Sequence, residues 1–240
     1  MKNIAVKETL NEAWALFRER PWFLFGISLT EGFLISIITL LLFVTAFARI
    51  PLLFRLPILI LFAIWLYVGK VTVCLGLIDR RPVSFKTLFS GWRRLWPSTV
   101  IGIRYNLNVV GLSLLLLVPG IIFALKYCFC QFLVIERGLS SGKALDLSAL
   151  LTEGYKTSLL KLGVATGLIR LLAWLPFSRI SPILISILPK GALLDFSRCA
   201  GVLVFGCSYY LTASITLLAI LIAYRQLERE NKQEMAEVIG

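Results

Sequence analysis

The chain has 240 residues, 58% hydrophobic and 16% charged, and contains no histidine. A mean hydropathy of +0.87 excludes an ordinary water-soluble domain, because so much apolar surface on so few charges calls for lipid as the solvent. Lack of histidine removes Ser-His-Asp and Cys-His nucleophile systems, His-bearing zinc sites and histidine pH switches. The net charge of +12 reads as basic loops facing anionic headgroups and not as nucleic-acid binding.

In chain order, residues 4–20 place Val6, Leu10, Trp14 and Phe17 at helical spacing until Pro21, which predicts an amphipathic interfacial helix. Apolar runs long enough to cross a bilayer follow at about 22–48, 57–78, 97–118, 119–135, 157–175 and 196–224. A second amphipathic helix is expected over 84–95, with Ser84 as N-cap, and a third from Ser141 to Gly154. The third and fourth runs are continuous except for Pro119-Gly120, where a tight turn would make a helical hairpin. Pro176, Pro182 and Pro189 break the residues after the fifth run into pieces that fit a re-entrant or interfacial segment over 177–192, so five or seven spans are the alternatives to six.

Loop charge supports six. Sixteen Lys and Arg fall in the N-terminal segment, the second and fourth loops and the tail, against four (Arg49, Arg55, Arg179 and Lys190) on the other side. That asymmetry places both termini in the cytoplasm. Ala46-Phe47-Ala48 has the form of a signal-peptide cleavage site, but the apolar stretch before it is too long for an h-region and Glu8, Glu12 and Glu19 precede it, so the first span is read as retained. Cys74, Cys128, Cys130, Cys199 and Cys207 are odd in number, form no C-x-x-C pair and lie in apolar runs, which makes them small hydrophobes and not a disulfide framework or metal knuckle.

The expected fold is all-α: a polytopic membrane helical bundle of about six transmembrane helices with cytoplasmic interfacial amphipathic helices. Residues 1–224 would form one integral membrane domain and 225–240 a charged cytoplasmic tail. Thr9-Leu10, Thr87-Leu88 and Ala144-Leu145 each precede a span by about ten residues, which points to three repeats of amphipathic helix plus two spans.

Pro119-Gly120-Ile121-Ile122, Ala124 and Lys126-Tyr127, followed by Gly138-Leu139-Ser140, Lys143-Ala144-Leu145, Ser148, Leu151 and Gly154, resemble a superfamily of bacterial six-span membrane proteins. That superfamily includes the membrane domain of some glycerophosphoryl diester phosphodiesterases. Ser84-Phe85 and Leu88-Phe89 are similar to its segment before the third span. The resemblance implies a multi-pass module of the bacterial inner membrane, often without assigned chemistry. No soluble phosphodiesterase domain is present to carry that activity.

Five ionisable residues fall well within the spans, away from their ends: Glu31, Lys70, Arg104, Lys126 and Arg170. A charge at the bilayer centre costs about 3 kcal/mol on insertion scales. Arg104 and Arg170 lie near enough to span ends to snorkel. Glu31, Lys70 and Lys126 are deeper, so Glu31 is a candidate buried charge partner for one lysine, whereas Lys70, Arg104 and Lys126 are candidates for a cleft holding an anion or lipid headgroup. Asn106, Asn108 and Tyr105 would add hydrogen bonds there, and Gly163-x-x-x-Gly167 matches a helix-packing motif.

No catalytic, cofactor or metal residue is assigned. Asp79, Asp146, Glu153 and Asp195 are dispersed along the chain, which ranks an intramembrane enzyme last. The leading expectation is a non-enzymatic membrane module that organises bilayer or partner proteins at the cytoplasmic face. The alternative is a transporter, channel or lipid-handling protein with a cationic intramembrane cleft. Expected partners are anionic membrane lipids and a membrane protein, with no nucleic acid.

Overall fold

The computed structural model describes residues 5–47, 52–187 and 192–232. Among them there are helices and turns but no strand. Among the described residues ten helices follow in order: α1 (Val6–Glu19), α2 (Pro21–Phe47), α3 (Leu52–Ile78), α4 (Phe85–Leu88), α5 (Trp92–Leu115), α6 (Leu117–Lys126), α7 (Cys130–Arg137), α8 (Ser141–Thr152), α9 (Lys156–Ile187) and α10 (Ala192–Glu230). Four windows are long and apolar enough to cross a membrane: Pro21–Ile38, Pro57–Ile78, Val118–Arg137 and Leu211–Glu230. Only 22% of the first is buried inside the protein, so its apolar side chains face outward, as a lipid-solvated helix requires. Four of the expected six spans thus meet this standard among the described residues. The other two long helices, α5 and α9, carry Arg104, Asn106 and Asn108, and Lys161 and Arg170, respectively.

A helix is present in the first predicted segment as α1, with Glu8 in its first turn and Arg18 in its last, each complementing the helix dipole. Pro21 both ends α1 and opens α2, where its missing N–H has no intrahelical partner to lose. The helix does not simply lie on a surface. Thr9 and Ala13 are fully buried, and the Thr9 hydroxyl donates to Gln226 Oε1 of α10 at 3.4 Å. Trp14 stays exposed, with Phe17 stacked against it and the Arg18 guanidinium 5.3 Å from its ring centre.

The helix expected over 84–95 is divided. Ser84 opens a single turn, α4, in which the Ser84 N–H donates to Thr87 Oγ1 at 3.4 Å, and α5 starts afresh at Trp92 and runs through Pro97. The reason is packing. The segment folds back along α3, with Val83 against Gly76, the Leu88 backbone against Gly69, and Gly91 against Trp65, Val68 and Gly69. From Ile78 to Gly69 is about 13 Å at helical rise. Only glycine at 69 leaves room for this approach: a Cβ there would lie 2.6 Å from the Leu88 carbonyl carbon and closer still to its oxygen.

The hairpin between the third and fourth runs exists, but its turn is at Leu116 (φ −154°, ψ 128°), and Pro119 and Gly120 lie inside the first turn of α6. Proline is tolerated there because early helical N–H groups have no i−4 acceptor. Gly120 is needed for a different reason, since an added Cβ would meet the Ser113 side chain on α5. The predicted span 119–135 is not one helix either. It breaks over Tyr127, Cys128 and Phe129 into α6 and α7.

In the fifth run, helix α9 continues past Pro176 and Pro182 to Ile187, so those prolines do not divide the backbone as expected. Expectations for Ala48, Arg49, Pro189, Lys190 and residues 233–240 lie outside the described residues, as do the side chains of Arg55, Arg179, Cys199 and Cys207. Cys74 and Cys130 are buried thiols. The core forms where α10 meets α3, α7 and α8, with Val71, Phe129, Leu133, Leu147, Leu151, Leu218 and Tyr224 among its fully or almost fully buried members.

Candidate functional site

A buried ion pair joins Glu31 on α2 to Lys70 on α3, 2.5 Å apart, their side chains 9% and 4% exposed. One turn away on the same face of α2, the Ser28 and Ser214 hydroxyls of α2 and α10 are 2.7 Å apart. Two residues further along α10, Thr216 Oγ1 accepts from Arg170 Nε of α9 at 3.0 Å. The Tyr67 hydroxyl is within electrostatic reach of both Glu31 and Arg170. Four helices therefore share one polar layer inside an otherwise apolar bundle. In a low-dielectric setting these pairs supply hydrogen bonds that lipid cannot, and they specify which helix faces which neighbour.

The three candidate cations occupy different settings. Lys70 is paired with Glu31. Arg104 is exposed on α5, where Asn106 and Asn108 each donate to a carbonyl of their own helix, those of Gly102 and Arg104, at 2.8 Å. Lys126 is half-buried at the C-terminal end of α6, which favours a cation, and its ammonium lies 5.3 Å from the centre of the Tyr127 ring. Tyr105, named with the asparagines, instead ties the hairpin by donating to the Ala124 carbonyl at 3.1 Å.

The main contribution of Lys126 is through its backbone. Its carbonyl accepts from both Ser148 Oγ and Thr152 Oγ1 of α8 at 3.1 Å, and the Phe129 N–H donates back to Ser148 Oγ at 3.2 Å. These hydroxyls satisfy backbone groups released by the break between α6 and α7. An interrupted helix inside an apolar bundle is tolerated only with such partners.

A second polar centre caps one end of the bundle. Arg225 of α10 pairs with Asp79 at the end of α3 at 2.7 Å, with Glu136 of α7 at 2.6 Å, and with Glu228 of its own helix. Arg137 also pairs with Glu228, and the Tyr224 hydroxyl donates to Glu136 at 2.9 Å. Tyr155, only 1% exposed, donates to Glu230. Its burial and the neighbouring carboxylate push the phenol up to about 12.

Asp79 is thus not a scattered acid. The fold gathers Asp79, Glu136 and Glu228 around the Arg225 guanidinium. Sequence spacing gave no access to this cluster, because its members come from three helices 57 or more residues apart along the chain. The one available signal was Tyr224-Arg225 at the end of an apolar run, a usual place for an anchoring aromatic and cation. Among the described residues no group of three or more His, Cys, Asp and Glu is arranged to hold a metal ion.

No protein-family model, curated protein or solved structure matches this chain. The polar layer, the stitched break and the charged cap are therefore interpreted from their chemistry alone.

Proposed function

We propose that the protein is a non-enzymatic membrane module that organises bilayer or partner proteins at its charged face, in the bacterial inner membrane with both termini in the cytoplasm. The observation that carries this reading is the set of exposed aromatics in and beside the first five helices: Trp14 of α1, Trp22 of α2, Phe85 and Phe89 in and after α4, and Trp92 and Trp96 of α5, of which Trp22 is 84% exposed and Trp92 and Trp96 are each 72% exposed. Tryptophan at a membrane–water boundary presents an apolar ring to lipid or partner and an N–H to water. The polar groups deeper in the bundle, by contrast, are engaged with one another, as structural elements are.

The order of helices supports three repeats, since each short helix (α1, α4, α8) is followed by two longer transits: α2 and α3, α5 and the α6/α7 pair, α9 and α10. With α5 and α9 counted as spans, the module crosses the bilayer six times. This is also the architecture implied by its resemblance to the phosphodiesterase-associated membrane superfamily. Anionic lipids and a membrane protein are the partners this reading requires.

Replacing Trp92 and Trp96 together by serine tests it. Recovery of a cross-linked partner, or ordering of lipid around the protein in reconstituted vesicles, should fall while thermal stability stays unchanged; unaltered recovery and ordering would count against the module. The interrupted α6/α7 helix beside Lys126 supports a second reading as a transporter or lipid-handling protein. Anion or lipid flux in vesicles that disappears on Lys126→Gln would favour that reading.

A further inference from the structure

At the charged end, a cleft of about 280 Å³ opens between α1, the turn after α3, and α10. Its lining brings together Glu12, Leu16 and Glu19 of α1, Ile78 and Arg80 at the end of α3, and Arg229 of α10. The volume suits a small polar group, just under the usual range for ligand pockets. Arg225, in the wall, is already held by three carboxylates, so the cations open to a ligand are Arg80 and Arg229.

Arg80 carries an independent mark. It adopts the left-handed backbone (φ 54°) at the end of α3, in a Schellman turn closed by Arg81 N–H to the Gly76 carbonyl at 2.8 Å and Arg80 N–H to the Leu77 carbonyl at 3.2 Å. Glycine suits this position best because any Cβ is crowded there. The other left-handed residues described, Gly138 and Gly154, are glycines. At 80 the chain keeps a long cationic side chain where the backbone alone favours glycine. Local stability does not explain it either: its pairing with Glu19 is loose, at 3.5 Å, with the side chains 79% and 54% exposed, and such open pairs contribute little to a fold.

We propose that this cleft binds a zwitterionic phosphate-and-amine group, the headgroup of an ethanolamine phospholipid. Arg80 and Arg229 take the phosphate, and Glu12 and Glu19 the ammonium. Guanidinium forks match phosphate oxygens, and a primary ammonium offers three N–H donors to the carboxylates. The two glutamates repel a purely anionic headgroup and find no donor on a choline, so the mixture of charges selects as well as attracts. The proposal goes beyond the scaffolding reading and stands even if the exposed aromatics recruit no partner.

Native mass spectrometry of the full chain tests it, with equimolar phosphatidylethanolamine, phosphatidylglycerol and phosphatidylcholine offered in detergent, and free phosphoethanolamine in a separate arm. The ethanolamine lipid should be retained in preference to the other two. Arg80→Gly removes the side chain and relieves the backbone, so thermal stability should hold or rise while retention weakens about tenfold, as expected for loss of one charged hydrogen-bonding partner. Arg229→Gln should weaken retention similarly, and Glu12→Gln with Glu19→Gln should erase the preference over phosphatidylglycerol. Binding of free phosphoethanolamine as tightly as the lipid would assign the same chemistry to a soluble ligand, and binding of the lipid alone would assign it to the bilayer. Equal retention of all three lipids without phosphoethanolamine binding, or retention untouched by Arg80→Gly and Arg229→Gln, overturns the site.

Discussion

The backbone carbonyl of Leu88 occupies the space that a side chain on Gly69 would need. That contact fixes α4 against α3 and carries Phe85 onto Phe23, with ring centres 5.1 Å apart, and Phe89 onto Trp65, at 5.6 Å. It is also one residue from Lys70, so the α4 segment and the buried ion pair share a neighbourhood.

Gly69→Ala should therefore destabilise the protein by roughly 1–3 kcal/mol or more, because backbone cannot yield as a side chain does. Thermal unfolding in detergent is the measurement. Gly111→Ala is its control: nothing lies within 4 Å of a Cβ at that position, so its midpoint should not fall.

Glu31→Gln leaves the Lys70 charge buried without its carboxylate, and should cost about 3–5 kcal/mol. The double variant Glu31→Leu with Lys70→Met removes both charges and should be more stable than Glu31→Gln. The same unfolding assay decides, and a double variant less stable than the single one would show that the pair itself holds the bundle together. Added salt should matter little, because side chains 4% and 9% exposed are poorly screened.

Ser148→Ala withdraws the acceptor from the Phe129 N–H and one donor from the Lys126 carbonyl. An unsatisfied buried group costs about 1–3 kcal/mol, so hydrogen exchange at the Phe129 amide should speed up by about ten- to a hundredfold. Exchange in α1 should not change, since that helix makes no hydrogen bond to the break.

Tyr155 should stay protonated well above the ordinary phenol range. Its value rises from 10.0 to about 12 in the folded protein, so the native state binds the proton more tightly than the unfolded chain does. The resulting stabilisation is complete below pH 10 and disappears as pH climbs through about 12. Ultraviolet difference titration against Tyr155→Phe should show one late phenolate transition. Glu230→Gln should move that transition to lower pH by removing a neighbouring negative charge.

Solvent preference and secondary structure were legible in the sequence because they are local. Apolar run length identified helices α2, α3 and α10, helical spacing identified α1, and Ser141 to Gly154 became α8, ending in the left-handed Gly154. The pairing of Glu31 with a lysine was also readable, since a lone deep carboxylate needs a cation, although two lysines qualified equally. Less was readable wherever proline was taken as punctuation. Pro119 sits inside the first turn of α6, where the missing N–H has no i−4 acceptor to lose, and the hairpin turns at Leu116 instead.

By itself the sequence determined that the chain belongs in lipid, that histidine chemistry is unavailable to it, and which stretches are helical, because transfer free energy and helical period act over one segment at a time. The tertiary structure decided that Lys70, and not Lys126, takes Glu31, that α4 folds back onto Gly69, that Ser148 and Thr152 stitch a broken helix, and that acids from three helices converge on Arg225. Each of those outcomes depends on which faces meet across long intervals of chain, and close packing sets those meetings only when the whole bundle is assembled.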